Sequence, residues 1–133
     1  SGSAKASAST VNQYMAASQT DNTTTIASSL SAGSDTAAQS VTYYTGNISY
    51  EQADYTMKYV GTTIIDTTTY FYGSSNLRAS ASTINQAMVA SQVESLSAQT
   101  STLNNIDSNT KSITYYASMY CVRRSDHGRI AAG

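Results

Sequence analysis

Proline and tryptophan are missing from this chain of 133 residues, and it carries one phenylalanine, one cysteine and one histidine. Charge is scarce too, at 11% of residues with a net of −1. A disordered chain is normally rich in proline and charge, so these two shortages argue against disorder even though Leu, Ile, Val and Phe together number only nineteen. The single Cys121 excludes an internal disulfide, and beside Tyr120 and Val122 it reads as a small packed hydrophobe. One histidine, His127, and one cysteine fall short of the three or four protein ligands that zinc requires, so no metal site is expected. The seven glycines are scattered, which leaves no phosphate-binding loop, and no apolar run reaches the roughly 18 residues that a membrane helix needs. The carboxylates are spread along the chain with no pair beside a nucleophile. These features point away from an enzyme and from any cofactor.

What the chain has in quantity is neutral and polar: 23 Ser, 19 Thr, 18 Ala, 8 Asn and 7 Gln, with eleven Tyr among them. A surface of this kind offers little like-charge repulsion between copies, and association is favoured. The few charges are uneven. Residues 1 to 110 carry three basic and seven acidic groups, or −4, while Lys111, Arg123, Arg124 and Arg129 against Asp126 give the remainder +3. A basic tail at 123 to 133 fits either a solvated terminus or a contact with a polyanion through Arg123, Arg124 and Arg129.

One phrase is written twice. ASASTVNQYMAASQ at 6 to 19 and ASASTINQAMVASQ at 79 to 92 agree at eleven of fourteen positions, 73 residues apart. The likeness continues, at an offset of 72, from GSDTAAQSVTYY to NIDSNTKSITYY, so each unit ends on a tyrosine pair, Tyr43-Tyr44 and Tyr115-Tyr116. Within each opening phrase a Thr precedes a Gln by three positions, Thr10 to Gln13 and Thr83 to Gln86, the spacing of a helix capping box. Apolar or small residues then recur every three or four positions: Val11, Met15, Ser18, Asn22, Ile26 and Leu30 in the first unit, Ile84, Met88, Gln92, Leu96, Gln99 and Leu103 in the second. Between them Tyr50, Ala53, Met57, Val60, Ile64, Thr67 and Phe71 keep the same interval, against the strand propensity of Thr62 to Tyr72.

The expectation is therefore an all-α chain in a single domain, 1 to 133: a long-helix hairpin or three-helix bundle, marginally stable outside an assembly. Repeat unit 1 occupies 6 to 45, a connecting helix 48 to 72, repeat unit 2 79 to 122. At 1.5 Å per residue the outer helices would run roughly 60 Å and the middle one only about 38 Å, which leaves part of each stripe for another subunit. Met15 and Met88, with Tyr43, Tyr44, Tyr115 and Tyr116, are the expected assembly contacts. The functional expectation is a structural subunit that polymerises into a filament, sheath or ribbon. The alternatives are a viral coat protein with its basic end on nucleic acid, and a helical adhesion module. The chain opens on Ser1-Gly2-Ser3 rather than Met, as after removal of a leader or with a tag remnant, and an extracellular or virion-surface location is expected.

Overall fold

A computed structural model describes residues 13–24, 27, 29–34, 36–82 and 86–116, and among these there is no helix. Seven strands form one antiparallel sheet: β1 (Ala17–Asp21), β2 (Ala38–Thr45), β3 (Gln52–Val60), β4 (Thr63–Tyr72), β5 (Leu77–Arg78), β6 (Met88–Ser95) and β7 (Thr110–Tyr115). Their order across the sheet is β1-β2-β3-β4-β6-β7, with the short β5 beside β4. The all-α expectation is overturned across the described residues. The connecting helix of 48 to 72 is the β3–β4 hairpin, and each long helix of a repeat unit is a strand, a loop and a second strand.

The physical reason is visible in β4, where every residue except Asp66 is β-branched or aromatic. Such side chains lose rotamer freedom in a helix and pack well on a pleated surface. The three-and-four spacing that suggested helices counted Ser, Thr, Ala and Gln as stripe members, and a chain built mostly of these residues meets that spacing at almost any phase. Turn chemistry agrees with strands. Gly61 adopts φ +60° in the two-residue β3–β4 turn. Gly46, at φ +122° after β2, has no room for a side chain, because a Cβ there would lie 2.6 Å from the carbonyl oxygen of Tyr50.

The registers sort the side chains onto two faces. Val41, Tyr43, Tyr55, Met57, Thr67, Thr69, Phe71, Ala90, Gln92, Glu94 and Ile113 share the inner face, over which the β1–β2 and β6–β7 loops fold back. The outer face carries a hydroxyl array, Ser18, Thr42, Thr56, Thr68, Tyr70, Ser91 and Thr114. Here the Thr42 and Thr56 hydroxyls meet at 2.8 Å and Thr56 meets the Tyr70 phenol at 2.9 Å.

Among the described residues the apolar core cluster is small: Phe71, Ala90 and Leu103, with Ile113 packed against them. Much of the remaining interior is polar. Gln92, Thr67 and Thr69 are as fully buried as Phe71 and Val41, and Glu94 is 2% exposed. Burying a phenylalanine contributes roughly 2 to 3 kcal/mol, so a core of this size leaves cohesion to depend heavily on satisfied hydrogen bonds. No helix among the described residues is long and apolar enough to cross a membrane.

Candidate functional site

The duplicated sequence folds as a duplicated hairpin. In the first, Ala17 faces Tyr43, Ser18 Thr42, Gln19 Val41 and Thr20 Ser40, and a bulge falls between Thr20 and Asp21. In the second, Ala90 faces Tyr115, Ser91 Thr114, Gln92 Ile113 and Val93 Ser112, with the bulge between Val93 and Glu94. Every pair and the bulge occupy equivalent places. The extra hydrogen bonds repeat as well: Tyr44 N–H to Ala16 C=O and Tyr116 N–H to Val89 C=O at 2.9 Å each, Asn22 N–H to Ala37 C=O and Ser95 N–H to Asn109 C=O at 2.8 Å each.

Each hairpin holds its loop with a glutamine. Gln19 Oε1 accepts from the N–H groups of Ser31 (2.9 Å) and Ala32 (3.2 Å), while its Nε2 donates to Asp21 Oδ1 (2.7 Å) and to Ser31 Oγ (3.0 Å). Gln92 Oε1 accepts from Asn104 N–H (3.0 Å), and its Nε2 donates to Glu94 Oε1 (2.5 Å) and to the Asn105 carbonyl (3.1 Å). Thr110 Oγ1 completes the second cluster by donating to the Glu94 carboxylate. Sequence reasoning placed Gln92 on a helix stripe, left Gln19 off the matching one, and missed this role in both. The signal was present as Gln followed two places on by an acid in both copies.

The expected contact residues fall into two groups. Met15 lies 47% exposed just ahead of β1, its N–H donating to Glu51 Oε1 at 3.0 Å. The Glu51 N–H, then this bond from Met15 and one from the Ser49 N–H, hold the Glu51 carboxyl below its ordinary value of 4.5. Met88 begins β6, partly buried, opposite Tyr72. Each tyrosine pair sends one ring to either face, as strand alternation requires, rather than about 100° apart as on a helix. On the outer face Tyr44 and Tyr116 bond Ser18 and Ser91 at 3.1 Å each. On the inner face the two copies differ. Tyr43 stacks on Tyr55 of the next strand, ring centroids 4.8 Å apart. Tyr115, on the last strand, has no such neighbour and is 60% exposed, its hydroxyl donating to Asn104 Oδ1.

Burial at the centre of the sheet also marks the phenols. It raises Tyr55 and Tyr59, with neighbouring Tyr43 adding to both, and pushes Tyr72 up to about 12. Tyr72 donates to the Ala53 carbonyl at 2.6 Å. Arg78 forms a two-pronged pair with Asp54 (3.0 and 2.6 Å) and lies 5.7 Å from the Tyr55 ring centroid. Lys111 reaches across the outer face to Asp66.

Arg123, Arg124, Arg129, Cys121, His127, Thr10, Thr83 and Asp35 lie outside the described residues. Among the described residues no three His, Cys, Asp or Glu side chains gather where they could hold a metal ion. Among the same residues no strand pairs with the outer edge of β1 or of β7, so the duplicated hairpins terminate the sheet on both sides. No protein-family model, curated protein or solved structure matches the chain.

Proposed function

We propose that the chain is a structural subunit that assembles with copies of itself into an extended polymer. The observation that carries this reading is the open sheet, whose two terminal strands keep their outer edges unpaired among the described residues. An unpaired edge presents a row of N–H and C=O groups that can pair with another strand, and natural proteins usually guard it with proline or charge. Here proline is absent, and β1 offers one charged residue, Asp21. Near-zero net charge removes the repulsion that would keep copies apart. The small core adds a motive, because pairing with a neighbour extends the sheet that holds it.

Analytical ultracentrifugation and electron microscopy of the purified chain over a range of concentrations test the proposal. Concentration-dependent polymers with an antiparallel-sheet infrared signature are the expected result. A dispersed monomer at high concentration refutes it.

A further inference from the structure

Building on the self-assembly reading, we infer that the polymer grows head to tail, with the outer edge of β1 of one copy pairing antiparallel with the outer edge of β7 of the next, Ala17 opposite Tyr115 and Gln19 opposite Ile113.

Backbone direction along each edge decides the register. Tyr44 and Tyr116 donate inward to Ala16 and Val89. In an antiparallel ladder the groups of alternate residues point to opposite sides, so Ile113 and Tyr115 point outward from β7, and Ala17 and Gln19 point outward from β1. Both edges have counterparts already paired inside the fold. The equivalents of Ile113 and Tyr115 are Val41 and Tyr43, which pair with Met57 and Tyr55 of β3. The equivalents of Ala17 and Gln19 are Ala90 and Gln92, which pair with Phe71 and Thr69 of β4. Each edge left unpaired among the described residues is thus a second copy of an edge shown to accept a strand.

Two further matches select this register. Ala17 against Tyr115 reproduces the small-against-aromatic pairing of Ala90 with Phe71, and it covers the exposed ring. Ser18 against Thr114 and Thr20 against Ser112 continue the cross-strand hydroxyl pairing seen between Thr42 and Thr56.

Strand number makes the contact propagate. The path β1-β2-β3-β4-β6-β7 has six strands, so β1 and β7 run in opposite directions. A copy added in the same orientation keeps the sheet antiparallel and the inner face on one side. The contact joins unlike edges, so each added copy presents the same open edge again, and the strand twist turns the growing sheet into a helical ribbon.

Proline at an outward-pointing residue blocks an edge without removing a bond of the internal ladder. Ala17→Pro blocks the β1 edge and Tyr115→Pro the β7 edge. With circular dichroism confirming that each full-length variant is folded, each alone should need at least about tenfold more protein than wild type to pellet. An equimolar mixture should give dimers and stop there, because one free β7 edge meets one free β1 edge. Should Tyr115→Pro not fold, Ala17→Pro is added to wild type instead: its open β7 edge should cap the β1 end of growing polymers and shorten them, and unchanged polymer length overturns the edge contact. Wild-type polymers with variants that polymerise normally overturn the edge contact and leave self-assembly standing. Dimers of Ala17→Pro by itself also overturn it, since they would join β7 to β7. A monomeric wild type removes the self-assembly reading itself.

Discussion

Thr67 and Thr69 stand two residues apart on the inner face of β4, both fully buried, and the same substitution should move stability in opposite directions at the two sites. Thr67 Oγ1 donates to the Leu96 carbonyl at 2.7 Å. Thr69 Oγ1 is buried with no hydrogen-bond partner. Valine keeps the shape and the β-branch, so strand propensity and packing change little. At 67 the exchange loses one hydrogen bond and orphans a carbonyl on the exposed Leu96, where water relieves part of the loss, and a cost of about 1 kcal/mol follows. At 69 the exchange removes a desolvated hydroxyl, whose burial costs about 1 to 3 kcal/mol, and adds a buried methyl. A gain of about 1 kcal/mol is expected after incomplete relaxation. The two single variants should therefore differ by roughly 2 kcal/mol and their urea midpoints by roughly 1 M, followed by far-UV circular dichroism and tyrosine fluorescence. If Thr69→Val is destabilised as much as Thr67→Val, the placement of the two hydroxyls is wrong.

Three more outcomes follow from the same reasoning. Gln92→Leu should cost about 2 to 4 kcal/mol, because it strands the Asn104 N–H, the Asn105 carbonyl and one oxygen of buried Glu94, while Gln19→Leu in the more exposed copy should cost about half as much by urea unfolding. Arg78→Met leaves the Asp54 carboxylate, in a residue 7% exposed, without its cation and should cost about 2 to 4 kcal/mol, whereas Lys111→Met at the exposed pair with Asp66 should cost under about 1 kcal/mol in the same assay. Tyr72 holds its proton more tightly in the fold than in the unfolded chain, with a folded value of about 12 against an ordinary 10.0. Its contribution is complete below pH 10 and is lost as pH rises toward 12, so urea midpoints should fall over that range and fall less steeply in Tyr72→Phe.

The sequence by itself determined the duplication. Its tyrosine endings and the one-residue change of offset between copies reappear as two hairpins of equal register. The break at Gly46 was legible too, because its crowded backbone is a local demand that a single residue type answers, whereas the turn at Gly61 fell inside the expected helix of 48 to 72. The choice between helix and strand lay elsewhere. Period is a signal only when apolar and polar residues differ sharply, and in segments such as Ala6 to Gln19 most side chains are small and neutral, so a stripe can be drawn at either spacing. Cross-strand partners far apart in sequence decided it: Thr42 with Thr56, Gln92 with Thr69, Arg78 with Asp54. The tertiary structure alone also gave equal sequences unequal surroundings. Tyr43 stacks because β3 lies beside it, and Tyr115, its counterpart in the repeat, is exposed because among the described residues the sheet ends there.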